Sequence, residues 1–240
     1  MTDMLRRLFA SVIRPPYVWA RNGIGDLFFE RRLDVQTSGD IDLDELGIAA
    51  EGRRKYRPTG WLSLRRILPP NAVTADDVFL DIGSGKGRAV LMAARYPFRR
   101  VIGVELSERL LDIAQNNVDR AKTHLRCQDI ELVHADAESY QIPDDVTVVF
   151  LNNPFGGAIF AAVVNKLLDS YDRRPRPLRI IYANPVEEVM LLKTGRILII
   201  KRLRGFRPGR EWSRSNSLKM YAVRPAAVGG YKRVHDRSSR

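Results

Sequence analysis

Cysteine is almost absent: Cys127 stands alone in 240 residues. No internal disulfide can form, a reducing compartment fits, and there is no cysteine framework for zinc. Histidine is scarce as well. His124, His134 and His235 show no metal-ligand spacing. No apolar run approaches the roughly 20 residues that cross a bilayer, so no integral membrane segment is expected. The run Leu8–Ile13 is short for the core of a signal peptide, and no small-residue cleavage site follows it. No internal repeat is evident. These absences point to a cytoplasmic globular chain without a bound metal.

Acids are missing from one region in particular. Between Arg196 and Arg240 the only ones are Glu211 and Asp236, in a chain of net charge +12. Such a stretch suits an anionic partner, nucleic acid or an acidic protein surface. A solvated arginine-rich surface accounts for the same residues.

The chain is organised around Val78–Ala89. Phe79, Leu80 and Ile82 form a short apolar run, as a parallel strand buried on both faces would. Gly83, Gly85 and Gly87 follow, a turn that lets backbone approach a ligand closely. Ala89, Val90, Ala93 and Ala94 then recur at helical spacing, so a helix start points its free N–H groups at the turn. The spacing is G-x-G-x-G, not the dinucleotide G-x-G-x-x-G, and Asp81 precedes it. A carboxylate there repels a pyrophosphate and suits an ammonium group. Glu105 closes the next strand about twenty residues on, the distance at which an acid meets ribose hydroxyls. A nicotinamide-dependent oxidoreductase is disfavoured.

Asp81-x-Gly83-x-Gly85-x-Gly87, then Glu105, then Ala135-Asp136 closing a third strand, resembles the class I S-adenosylmethionine (SAM) dependent methyltransferases over roughly residues 59–224. The resemblance implies a doubly wound α/β fold: a seven-stranded, mostly parallel sheet with an antiparallel last strand. It assigns SAM to Asp81, Gly83, Ser84, Gly85, Gly87, Glu105, Leu106, Asp136, Ala137 and Asn152. Asp136 would meet the adenine amino group, with the Ala137 N–H beside it. The family's helix before the first strand packs at the cofactor edge, which makes Tyr56 and Trp61 candidate walls of an acceptor pocket. They also read as core aromatics.

The remaining pattern fits that fold. Thr59 can cap a short helix that Pro69-Pro70 stop, and Ser107 can cap a long one. The run 130–136 reads as a third strand and Val146–Leu151 as a fourth. Phe160, Val163, Val164, Leu167 and Leu168 share a helix face, Arg179–Ala183 is a fifth strand, and Asn184-Pro185 open a short helix closed by Gly195. The runs 196–200 and 218–223, joined without a helical pattern, form a hairpin. Alternating strands and helices predict a parallel sheet with its ligand outside the carboxyl ends of the strands. Domain boundaries are expected at 1–58 (an N-terminal extension), 59–224 (the SAM-binding domain) and 225–240 (a basic tail). Apolar residues from Leu5 to Ile13 share a helix face that Pro15-Pro16 end. Residues 23–58 pattern poorly and read as a lid. Asp40-x-Asp42-x-Asp44 imitates a calcium loop, but Glu45 stands where that loop needs glycine.

The fourth strand ends in Asn152-Asn153-Pro154-Phe155. This resembles the Asn-Pro-Pro-Phe/Tyr signature of methyltransferases acting on amino nitrogens, with Asn153 in place of the first proline. The resemblance implies that these four residues orient the acceptor nitrogen and that Phe155 packs on it. The Asn-Asn also resembles non-SET histone-lysine methyltransferases, and the whole pattern is closest to bacterial class I members with an Asn-Pro-Phe strand end. A protein side chain, a nucleic-acid base and a small molecule all remain open as acceptor. Trp212 among Arg204, Arg207, Arg210 and Arg214 suits base stacking, or is a packing residue in a solvated hairpin loop. The competing expectation is a basic nucleic-acid-binding protein with this fold and no turnover.

Overall fold

The computed structural model describes residues 14–203 and 217–226. Its strands are β1 (Val78–Ile82), β2 (Arg100–Glu105), β3 (Ile130–His134), β4 (Val148–Leu151), β5 (Arg179–Ala183), β6 (Ile197–Leu203) and β7 (Leu218–Val223). They form one seven-stranded sheet in the order β3-β2-β1-β4-β5-β7-β6. The first five pair in parallel, and β7 runs antiparallel to both β5 and β6. This is the predicted doubly wound sheet with an antiparallel last strand.

The described helices are α1 (Arg14–Leu33), α2 (Ser63–Ile67), α3 (Arg88–Ala94), α4 (Glu108–Ala121), α5 (Gly157–Arg173) and α6 (Glu188–Lys193). Side chains alternate across a strand, and β1 serves two cores in this way. Phe79 joins Val101, Phe150 and Ile181 beneath α3; Leu80 joins Ile102, Val149 and Ile180 against Phe160, Val163 and Leu167 of α5. Each such side chain contributes about 1.5–3 kcal/mol by burial. Ser107 caps α4 as expected, its Oγ accepting from the Leu110 N–H.

Several local expectations are corrected. Pro15 and Pro16 lie within α1 as described, and the helix they were expected to end lies outside the described residues. Thr59 does not cap α2, which begins after Leu62. Its carbonyl accepts from Arg88 instead, at 3.0 Å. Asn184 does not cap α6 either. It sits at φ +54, and its N–H bonds to the Ser217 carbonyl at 2.9 Å, holding β5 to the start of β7. The expected helix over residues 5–13, the Trp212 loop and most of the basic tail lie outside the described residues.

Residues 34–59 form a strap across the carboxyl ends of the strands. Bridges between Ile41 and Tyr56 and between Arg53 and Phe155 pin it. Leu33, Val35 and Trp61 at its ends are buried in the same core as Phe79.

Candidate active site

The site starts from β1. Its last turn-ward polar residue, Asp81, is 2% exposed. Among the described residues no donor reaches its carboxylate. Burial first, and then the Glu105 charge, push its pKa well above the ordinary value. The chain then turns: the Gly83 and Ser84 N–H groups both donate to the Val104 carbonyl, at 2.9 and 3.0 Å. This folds the turn onto β2.

The glycines answer to separate neighbours. A Cβ on Gly83 would fall 2.5 Å from Pro154 Cβ. Gly85 has φ +55, and a Cβ there would fall 2.2 Å from Tyr56 Cε2. Gly87 lies against α4, where a Cβ would meet that of Ala114 at 3.1 Å.

Glu105 ends β2, 7% exposed. Its Oε2 accepts from the Gly85 N–H at 2.8 Å and its Oε1 from the Ser107 N–H at 2.9 Å. Burial raises its pKa and those N–H groups oppose the rise. Each oxygen retains a lone pair, so the carboxylate can hold the glycine turn and accept from a ribose together. Glu105→Ala is expected to weaken SAM binding by roughly 1–3 kcal/mol, the cost of losing a charge-assisted hydrogen bond. Unchanged affinity in calorimetry overturns this assignment.

Beyond β3, Asp136 accepts from the Glu138 N–H on Oδ1 at 2.9 Å and from Arg53 Nη2 on Oδ2 at 2.8 Å. Beyond β4, Asn152 donates from Nδ2 to the Arg57 carbonyl at 2.7 Å. Asn153 sits at φ +53. Its Oδ1 accepts from Arg54 Nη1 at 2.6 Å and from the Tyr182 hydroxyl at 3.3 Å. Proline, fixed near φ of about −65°, cannot take that conformation. The departure from Asn-Pro-Pro is therefore a difference in the turn itself, held from outside by the strap.

One cavity collects most of these groups. Asp81, Gly83, Ser84, Glu105, Leu106, Asp136, Ala137, Asn152, Pro154, Phe155 and Tyr56 all line it. Its empty space, counted out into the solvent at its open mouth, is about 940 Å³. Gly85 and Gly87 do not line it, being covered by Tyr56 and Ala114. Asn153 also lies outside its wall, as does Trp61. Trp61 is a core aromatic: it stacks on Phe29 with centroids 5.4 Å apart, under the Arg88 guanidinium at 5.0 Å. Phe155 is 5% exposed and packs toward Phe160, with centroids 6.4 Å apart.

The sequence reading expected a lid from the strap segment but missed its contacts: Arg53 on Asp136, Arg54 on Asn153, and the Arg57 carbonyl on Asn152. The basic run Arg53-Arg54-Lys55-x-Arg57 was the visible signal, but nothing local tied it to residues almost a hundred positions away. The cavity's chemistry fits SAM. It combines a buried carboxylate with no hydrogen-bond partner among the described residues, a second acid with spare lone pairs, and apolar walls at Leu106 and Ala137.

Known proteins resemble part of this chain in sequence and share its fold. Residues 79–173 match the family described as a methyltransferase domain. A probable ribosomal RNA small subunit methyltransferase A from Methanopyrus kandleri is 35% identical over 100 residues, 40% of this chain and 32% of that protein. A ubiquinone biosynthesis O-methyltransferase from Coxiella burnetii is 30% identical over 108 residues, 38% of this chain and 45% of that protein. This chain thus spans less than half the length of these curated relatives. The solved precorrin-6y C5,15-methyltransferase of Geobacter metallireducens shares the fold, with TM-score 0.53 and 20% identity over 77% of this chain and 96% of that one. Residues 79–173 are thus similar to a methyltransferase domain, within a sheet whose fold that solved methyltransferase shares. Among the described residues no helix is long and apolar enough to cross a membrane.

Proposed function

We propose that the chain is a SAM-dependent methyltransferase that transfers a methyl group to a nitrogen of a protein side chain, a nucleic-acid base or a small molecule. The observation that carries this reading is Asp81: a buried carboxylate without a hydrogen-bond partner among the described residues, in the wall of the cavity that Glu105, Asp136 and Asn152 also line. In this reading Asp81 takes the donor's ammonium group, Glu105 its ribose hydroxyls and Asp136 its adenine amino group. Ser84, Leu106 and Ala137 complete the donor wall.

Bound SAM supplies a methyl group on a good leaving group, so no nucleophilic side chain is required. The chain's task is to hold the acceptor in line and exclude water. The Asn152 amide nitrogen is committed to the Arg57 carbonyl. This fixes the side chain and leaves Oδ1 free to accept from an acceptor N–H, aiming the nitrogen lone pair at the methyl. Pro154, packed over Gly83, holds Asn152 next to the donor turn, and Phe155 forms the wall beside it. A base is needed only for an acceptor that arrives protonated, as a lysine does.

A cytoplasmic location and an anionic partner for the basic stretch after Arg196 belong to the same proposal; they rest on the single cysteine and the charge distribution. So does the division into an extension, a SAM-binding domain and a tail.

The test uses methyl-labelled SAM with host lysate split into protein, RNA, DNA and small-molecule fractions. Label in one fraction, lost with Asp81→Ala, identifies the acceptor class. No label in any fraction, with SAM bound, transfers the weight to the binding protein without turnover. Asn152→Ala is expected to lose transfer while keeping SAM affinity within about twofold, since Asn152 is assigned to the acceptor side. Full transfer by that variant removes Asn152 from the mechanism.

A further inference from the structure

The donor reading leaves one part of the cavity without an assigned partner. In SAM the sulfur is bonded between the methionyl chain and the ribose. If Asp81 takes the ammonium and Glu105 the ribose, the sulfonium lies between them, along the turn from Gly83 to Gly85. The side chain that covers this turn comes from neither strand. It is Tyr56 of the strap, whose ring lies so close to Gly85 that a Cβ there would fall 2.2 and 2.3 Å from Cε2 and Cδ2.

We propose that the Tyr56 ring is a cation-recognising wall of the donor site, which makes the protein bind the charged donor SAM in preference to its neutral product, S-adenosylhomocysteine. The proposal rests on the methyltransferase reading and deepens it. It also changes the sequence assignment of Tyr56, from a wall for the acceptor to a wall for the donor.

Three observations support it. The ring is held in place: the Tyr56 hydroxyl donates to the Thr37 carbonyl at 2.6 Å, and the Tyr56 backbone bonds to Ile41 in both directions. A rigid ring is what a cation–π contact needs. The ring already attracts a cation, because the Lys86 ammonium lies 5.2 Å from its centroid, within the roughly 6 Å range of such contacts. Finally, acids as well as Arg88 stand near the ring. Burial is the main cause that raises the Tyr56 hydroxyl pKa, but Glu30, Asp81 and Asp26 push the same way, against Arg88. A sulfonium entering here leaves water for a π face with carboxylates nearby. A thioether gains only packing.

Burial of the ring predicts a weak effect on both ligands through packing, so the informative quantity is their ratio. Calorimetry would measure SAM and S-adenosylhomocysteine with the wild type, Tyr56→Phe and Tyr56→Leu. Tyr56→Phe keeps the π face and should keep the wild-type preference for SAM. Tyr56→Leu should lose that preference by about three- to tenfold, the range expected for a partly desolvated cation–π contact, with S-adenosylhomocysteine affinity changed less than twofold. Equal losses for both ligands in Tyr56→Leu would mean that the ring only packs, and would overturn the proposal. So would a ratio altered in Tyr56→Phe, which would assign the selectivity to the hydroxyl. If the wild type binds neither ligand, the methyltransferase reading itself fails.

Discussion

Asp81→Asn is expected to lower SAM affinity by about 3 kcal/mol, on the order of a hundredfold, because a charge-assisted contact is lost in a buried setting. The same substitution should leave the empty protein at least as stable as the wild type. The two expectations share one cause. With no donor bound, the Asp81 carboxyl is 2% exposed and feels the Glu105 charge, with no hydrogen-bond donor among the described residues. Ionising it there is unfavourable, so it retains its proton well above the ordinary 3.8.

The sign of the pH dependence follows. A carboxyl whose folded pKa is raised binds more protons folded than unfolded over the interval between the two values. Its contribution to stability is therefore complete below the ordinary value and is lost as pH rises through the raised one. The unliganded wild type should lose stability relative to Asp81→Asn across that interval. A cationic ligand requires the carboxylate, so SAM binding should release a proton there, visible as a dependence of the binding enthalpy on buffer ionisation. Two results would remove Asp81 from the donor site: SAM binding to Asp81→Asn with wild-type affinity, or binding with no proton release at any pH in that interval. The residue then exchanges stability for binding, as functional sites commonly do.

How much of this was readable beforehand depends on how local the cause was. The β1 strand, the glycine turn and α3 are contiguous, and each residue's behaviour there is set by near neighbours. Phe79, Leu80 and Ile82 bury both faces of one strand. Glu105 and Asp136 were legible because parallel strands end on one side of a sheet, so a polar residue just past an apolar run is delivered there. The hairpin of β6 and β7 was legible because no helical pattern separates its halves.

A covering segment was legible as a lid, but the contacts that hold the strap were not. Its contacts are side-chain hydrogen bonds over large separations: Arg53 to Asp136 across 83 residues, Arg54 to Asn153 across 99. No periodicity encodes such pairs. The capping errors have a related origin. Thr59 and Asn184 are the right residue types in the right places, but each backbone is already engaged elsewhere, Thr59 with Arg88 and Asn184 with Ser217. Tertiary bonds outweighed a local preference worth about 1 kcal/mol.

The strap depends in turn on Arg88, the first residue of α3, which is 4% exposed. Its guanidinium donates from Nη1 to Asp26 at 2.8 Å and to the Thr59 carbonyl, from Nη2 to Glu30 and Ser38 at 3.1 Å, and from Nε to Thr37 at 2.7 Å. One side chain thus joins α1 and both ends of the strap to the helix that follows the glycine turn. Arg88→Met should cost about 3 kcal/mol, the lower end for removing one partner of a buried ion pair, since both acids are partly exposed. In a chain of this size that lowers the melting temperature by roughly 6–12 °C. Arg99→Met is the control. Its partner is Asp145, its side chain is 52% exposed, and such a pair is worth at most about 1 kcal/mol. The effect should also carry a pH signature. Burial works to raise the Glu30 pKa, but hydrogen bonds from Thr37 and Ser38 and the Arg88 charge outweigh it and hold it below 4.5. A lowered carboxyl pKa stabilises the fold above the ordinary value and ceases to do so as pH falls through the lowered one. The gap between wild type and Arg88→Met should therefore narrow in acid. In the variant, trypsin should cut faster at Arg53, Arg54 and Lys55, whose backbone the docked strap protects. A variant as stable as Arg99→Met, with its strap equally resistant, would show that the strap is held by its tip on Asp136 and Asn152, and that Arg88 does not anchor it.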